Sequence, residues 1–172
     1  MSKAIKKIAI VGPESTGKST LAKDLAAHYQ TEWVPEFARE YLDQIKRPYK
    51  FEDLSEIAKG QLNLEQKKAK NANDLLFCDT NLIVIKVWSE FKYGKCEPQI
   101  IEQIQASDYD LHLLTDIDFP WTPDPLREHP DKRQELFDIY VKELEGFGFD
   151  YEIISGHGNA RLDNAISAIN SQ

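Results

Sequence analysis

The stretch Gly12-Pro13-Glu14-Ser15-Thr16-Gly17-Lys18-Ser19 fills every fixed position of the phosphate-loop pattern G-x-x-x-x-G-K-[ST]. Its flanks say what the loop connects. Lys7-Ile8-Ala9-Ile10-Val11 is a short apolar run rich in β-branched residues and reads as a buried strand. The run from Thr20 to Tyr29 carries Leu21, Leu25 and His28 at helical spacing among alanines and reads as a helix. Glycine brings backbone close to phosphate oxygens with no Cβ in the way. Amides of the loop and of the helix start then converge, with the helix dipole, on one anion. The expected nucleotide contacts are Gly12, Glu14, Ser15, Thr16, Gly17, Lys18, Ser19 and Thr20. Lys18 is expected on the β- and γ-phosphates, and the Ser19 hydroxyl on Mg²⁺. The competing reading is a chance match in a glycine turn, and the strand and helix flanks weigh against it. ATP and Mg²⁺ are the implied cofactors.

A chain of 172 residues suits one domain, 1–172, with a sizeable core. Apolar residues at 41% and charged residues at 29% describe a soluble globular protein. A net charge of −8 argues against non-specific binding to nucleic acid or to an anionic membrane, so neither is an expected partner. Cys78 and Cys96 have no metal-ligand spacing and read as reduced thiols of a cytoplasmic protein, with Cys78 in the core. The four histidines form no H-E-x-x-H cluster. No signal peptide is expected, because the first apolar run is short and belongs to the loop's own strand. No apolar stretch approaches the ~20 residues of a membrane span.

Strand and helix alternate along the whole chain, which predicts an α/β fold: a five-stranded parallel sheet with helices on both faces. The later strands are expected at Glu32-Trp33-Val34, Leu75-Leu76-Phe77-Cys78, Asp110 to Thr115 and Tyr151 to Ser155. Helices are expected around Phe37 to Ile45, Phe51 to Asn73, Leu82 to Phe91, Pro98 to Ala106, Arg133 to Gly146 and Leu162 to Ile169. In the long third helix Leu54, Ile57, Ala58, Leu62 and Leu64 are expected on the inner side. The proline-rich stretch around 116–134 cannot be regular and reads as a lid. Ligands of such sheets sit beyond the carboxyl ends of the strands. The phosphate loop, Glu36, Asp79, and Asp116 with Asp118 fall at four of those ends.

Asp79 ends an apolar strand, where phosphate-loop proteins place the acid that holds Mg²⁺ or its water. With Thr80 it would equally make a helix N-cap. Glu36 ends the second strand and is positioned to take the proton of an acceptor hydroxyl. It is also a favourable acid for a first helical turn. Arg39, one turn on, either pairs with Glu36 or binds substrate. Arg127 and Arg133 are candidates to close over phosphates, or are surface arginines on a stiffened loop. Trp121 either stacks on a planar ring or plugs the core edge. Arg161 follows the last strand and either stacks on adenine or is solvated.

Val34-Pro35-Glu36-Phe37-Ala38-Arg39-Glu40-Tyr41, Cys78-Asp79-Thr80-Asn81, Asp116-Ile117-Asp118-Phe119-Pro120-Trp121 and Asp124-Pro125-Leu126-Arg127 follow the phosphate loop in that order. Together these elements resemble the ribosylnicotinamide kinase domain of the NadR-type proteins, over nearly the whole chain. The resemblance implies ATP-dependent phosphorylation of the 5′-hydroxyl of nicotinamide riboside to the mononucleotide, a step of NAD biosynthesis. It implies that the acceptor's ring lies between aromatic side chains, with Trp121 and Tyr41 or Trp88 as options. It implies that Glu36 and Asp79 handle the hydroxyl and the metal, and that Arg127 belongs to the lid. The catalytic set is then Lys18, Glu36, Asp79 and Arg127. Members of the family are often fused to an adenylyltransferase and a DNA-binding helix-turn-helix. Neither is expected in this chain, which opens at the kinase strand.

Other acceptors stay open from the residues alone. A nucleoside monophosphate would need extra cations near the second strand end, where Arg39 and Lys46-Arg47 stand. An ATP-driven regulatory switch is a second class, and a nucleotide-binding protein without turnover a third. The intact loop and the acid after the third strand argue against the last.

Overall fold

The structure, a computed structural model, describes residues 4–118, 120–124 and 127–172. Phe119, Pro125 and Leu126, which belong to two of the motifs above, lie outside the described residues. The strands are β1 (Lys6–Val11), β2 (Trp33–Val34), β3 (Leu75–Asp79), β4 (Leu111–Thr115) and β5 (Tyr151–Ile154). The helices are α1 (Lys18–Tyr29), α2 (Phe37–Ile45), α3 (Phe51–Ala69), α4 (Leu82–Tyr93), α5 (Pro98–Gln105), α6 (Arg133–Phe147) and α7 (Gly158–Asn170). All pairings are parallel, in the order β2-β3-β1-β4-β5. This is the expected α/β sheet.

The strands are apolar on both faces, as a parallel sheet covered on both sides requires. Side chains alternate with period two. Ile8, Ile10, Phe77, Leu111, Leu113 and Ile154 therefore pack under α1 and α7. Ala9, Val11, Leu76, Cys78, Leu114 and Val34 face the other layer, with Leu54, Ile57, Ile83, Val87 and Leu136. Cys78 is buried in that core, as expected.

In α3 the buried stripe runs Asp53, Leu54, Ile57, Ala58, Gln61 and Glu65. Leu62 and Leu64 are only partly buried, so the expected inner side is corrected there. The helical period continued from Leu54 and Ala58 reaches positions 61 and 65, and polar side chains fill both. Both make hydrogen bonds, although Gln61 Nε2 is buried without a partner. Gln61 Oε1 accepts from the Phe37 amide at 3.0 Å. Glu65 accepts from the Tyr109 hydroxyl and lies 3.9 Å from Lys7 Nζ. Gly60 on the same helix lets α2 approach, since a Cβ there would collide with the Phe37 ring. Among the described residues no helix is long and apolar enough to cross a membrane.

His112 is the second residue of β4 and has no solvent-exposed surface. Its Nε2 is 3.0 Å from Asn81 Nδ2, and its ring stacks on Phe149. Asn81 Oδ1 in turn caps α4 through the Ile83 amide. Burial lowers the imidazole to about 4, from an ordinary 6.5. The folded state therefore holds this histidine neutral while the unfolded chain protonates it. Its contribution is complete above pH 6.5 and is lost as pH falls toward 4. The loss amounts to about 3 kcal/mol. Denaturant titrations from pH 7 to 4.5 should show wild-type stability falling more steeply than that of His112→Gln; parallel curves would contradict this assignment.

Candidate functional site

The strand order brings the ends of β2, β3 and β1 side by side, with Val34 opposite Cys78 and Ile10 opposite Asp79. Glu36, Asp79 and the loop from Gly12 to Ser19 therefore meet along one sheet edge. A cleft opens there, lined by the loop residues, Glu36, Arg39, Leu42, Val84, Val87, Trp88, Phe91, Arg127, His129, Leu136 and Tyr140.

The loop is anchored on its far side. Gly12 has φ +145°, and a Cβ there would run into Thr115 Oγ1. That close approach lets the Thr16 and Thr115 hydroxyls meet at 2.6 Å, while Thr115 also reaches the Val11 carbonyl at 3.2 Å. Two non-glycine residues, Ser15 in the loop (φ 59°) and the buried Thr80 that follows β3 (φ 72°), sit in the left-handed region. Each costs about 1–2 kcal/mol. The first turn of α1 carries no acidic residue, so the positive end of that helix faces the cleft uncompensated from within the helix.

Lys18, Glu36 and Asp79 form the polar centre. Lys18 Nζ donates to the Pro13 carbonyl at 2.8 Å. Burial lowers its ammonium below the ordinary lysine value, opposed by the charges of Glu36, Asp79 and Glu14. Burial raises Glu36 above the usual carboxylate range, and the Asp79 charge raises it further. Burial also raises Asp79, opposed by the hydrogen bond from Ser19 and the charge of Lys18. Two neighbouring acids pushed up beside one lysine pushed down is the pattern of a site awaiting charge.

The structure decides between several sequence readings. The Asp79 carboxylate is not the cap of α4; Asn81 is. Glu36 stands at the N-cap position of α2, but its side chain makes no capping bond and faces the cleft. Arg39 is tied at both ends, with Nε 3.6 Å from Glu36 Oε2 and Nη1 3.1 Å from Asp124 Oδ2. The Asp79 oxygen Oδ2 accepts from Ser19 Oγ, while Oδ1 is buried with no hydrogen-bond partner. A hydroxyl beside a carboxylate with an unused oxygen is a hard-oxygen donor set that could hold Mg²⁺, which keeps several waters and takes few protein ligands.

Four expected contacts are corrected. Tyr41 does not line the cleft; its hydroxyl donates to Asp53 Oδ1 at 2.7 Å, and its ring lies against Phe37. Trp121 also stands away from the cleft lining, 6.0 Å from the Arg133 guanidinium, whose Nη1 is 3.4 Å from the Ser15 carbonyl. Arg133 thus touches the loop at Ser15 without lining the cleft. Arg161 is neither solvated nor open for stacking. It is 3% exposed, and it donates to the carbonyls of Thr16, Asp116 and Gly156 and to the Asp118 carboxylate. It is a clamp that holds the back of the phosphate loop. Asp116 and Asp118 belong to the same support, through Ser155 and the Gly156 amide.

Trp88 and Arg127 do line the cleft. Trp88 Nε1 donates to the Tyr49 hydroxyl at 2.7 Å, and Arg127 donates to the Thr122 carbonyl. Glu14 turns away from the loop interior and accepts the amides of Glu128 (2.9 Å) and His129 (3.2 Å). Ser15 Oγ accepts the Thr122 amide at 2.9 Å. Sequence reasoning missed Phe91, His129, Leu136 and Tyr140. Leu136 and Tyr140 stand at i, i+4 on α6, and that spacing alone reads as core.

A family model described as an AAA domain matches residues 7–161. The trifunctional NAD biosynthesis/regulator protein NadR of Escherichia coli (strain K12) is 30% identical over 149 residues, which are 82% of this chain and 36% of that protein. A crystal structure of NadR in complex with NR superposes with a TM-score of 0.83 at 24% identity, covering 97% of this chain and 50% of the other. NadR in complex with NAD and AMP-PNP gives a TM-score of 0.79 at 23% identity, with 97% and 49% covered. Deoxyadenosine kinase from M. mycoides, with dcmp and dcdp, gives 0.66 at 15% identity, with 96% and 100% covered. The chain thus spans about a third of the curated relative and about half of the NadR chains of known structure. Its fold is that of the P-loop small-molecule kinases. The chain belongs to the AAA domain family of P-loop proteins and is a homologue of NadR.

Proposed function

We propose that this chain transfers the γ-phosphoryl group of ATP to the 5′-hydroxyl of nicotinamide riboside, giving nicotinamide mononucleotide and ADP. The observation that carries the reading is Glu36: a carboxylate uncommitted to helix capping, raised by burial, that lines the cleft where the charges of Asp79 and the loop's Lys18 act on it. Homology to a protein whose structure holds NR supports the choice of acceptor, and the AMP-PNP complex supports ATP as donor.

The triphosphate lies against the loop amides and the α1 N-terminus. Lys18 leaves the Pro13 carbonyl for the β- and γ-phosphates. The acceptor's ring lies in the apolar half of the cleft, beside Trp88. Glu36 takes the proton of the 5′-hydroxyl as its oxygen forms a bond to the γ-phosphorus. The bond from that phosphorus to the β,γ-bridging oxygen breaks, and ADP leaves. Lys18 and Arg127 stabilise the charge spread over the transferred group. Ser19 and Asp79 would hold Mg²⁺, which supplies charge neutralisation on the phosphate oxygens. The segment 116–134 acts as the lid, and the Glu14 bonds to residues 128 and 129 hold it against the loop.

Coupled ADP release should rise by orders of magnitude when nicotinamide riboside is added, and more than with other nucleosides. Equal turnover with and without every acceptor would favour a switch instead. Asp79→Asn should lower kcat by about 10²–10³ while ATP affinity changes far less, because the metal acts on developing charge. Matching losses in kcat and ATP affinity would show that Asp79 only supports the fold.

A further inference from the structure

The cations that line the cleft among the described residues are Lys18 of the phosphate loop, Arg127, and Arg39, which is ion-paired with Glu36. Such a cation is what a phosphorylated acceptor needs. Arg39 is already matched, lying between Glu36 Oε2 at 3.6 Å and Asp124 Oδ2 at 3.1 Å. The other two cations near the second strand end are not available there. Neither Lys46 nor Arg47 lines the cleft, and Arg47 is held by both Asp53 oxygens at 2.9 Å. Arg39, shared between two carboxylates, therefore brings no unmatched positive charge to a phosphate carried by the acceptor.

We propose that Asp124 is a specificity-determining residue: by holding Arg39 against Glu36, it denies the acceptor end a further cation and so disfavours acceptors that already carry a 5′-phosphate. The inference rests on the proposed kinase reading, since it concerns the acceptor half of that site. It explains why an arginine beside Glu36 need not make the site one for nucleoside monophosphates. The geometry needed for phosphate capture is present, but one side chain reached from the irregular segment occupies it.

The experiment is calorimetric titration of wild type, Asp124→Asn and Asp124→Asn/Arg39→Gln, each saturated with AMP-PNP and Mg²⁺, with nicotinamide riboside and with its 5′-monophosphate. Asparagine keeps the shape of the side chain, and thermal melts confirm that each variant is folded. In wild type the nucleoside should bind at least tenfold more tightly than the monophosphate. In Asp124→Asn that ratio should fall by tenfold or more through tighter binding of the monophosphate. The gain should vanish in the double variant. An unchanged ratio in Asp124→Asn, or a gain that survives loss of Arg39, overturns the assignment. If wild type binds neither compound, the acceptor reading fails on its own. The Asp124 claim is then read with inorganic phosphate on the same AMP-PNP-loaded proteins: tighter phosphate binding by Asp124→Asn alone supports it, and equal binding by all three overturns it.

Discussion

Two carboxylates and one ammonium share a site partly withdrawn from water, with Asp79 buried and Glu36 and Lys18 half-buried, and much else in the molecule is arranged around that expense. Taking a charge from water into a protein interior costs several kcal/mol unless partners compensate it. Lys18 has Glu36, Asp79 and Glu14 as compensating charges, and Asp79 has Lys18 and the Ser19 hydroxyl. The compensation is incomplete, because burial still dominates the shift at all three of Lys18, Glu36 and Asp79. A site left in that condition gains when a polyphosphate and a cation enter it. The fold supplies the rigidity that keeps the charges from relaxing into solvent. β3 lies between β2 and β1, so the two acids and the loop cannot separate without breaking the sheet.

The back of the loop is held as firmly as its front is open. Thr115 on β4 and Arg161 on α7 grip Thr16 from opposite sides, one through a hydroxyl and one through the backbone carbonyl. The loop therefore depends on the last helix of the chain, which lies more than a hundred residues away in sequence. On the outer side, Glu14 and Ser15 hold the segment that follows β4, and Tyr49 and Lys92 hold Glu128 of the same segment. Side chains at the variable positions of the phosphate loop thus serve as attachments for the segment above it.

The strands and helices were legible because apolar period and strand-end chemistry agreed at nearly every element. The phosphate loop, Glu36 and Asp79 were found for the same reason: nothing in core packing asks for acids at those ends. The failures share a different cause. Tyr41 and Trp121 are amphipathic, and an aromatic ring carries no mark of which side it will face. Arg161 was placed by its distance along the chain from the last strand. Its real role depends on three carbonyls brought together by tertiary structure. Gln61 and Glu65 break the apolar stripe of α3, and only their partners, the Phe37 amide and the Tyr109 hydroxyl, explain their burial. No local sequence signal marks Asp124, because its ion pair with Arg39 spans 85 residues of sequence.

The most direct test is a crystal structure grown with AMP-PNP, Mg²⁺ and nicotinamide riboside. The triphosphate should lie on the loop amides, with Lys18 moved from the Pro13 carbonyl onto phosphate oxygens and the acceptor hydroxyl within hydrogen-bonding distance of Glu36. A triphosphate bound elsewhere, with Lys18 still on Pro13 and Glu36 far from any acceptor, would contradict the account.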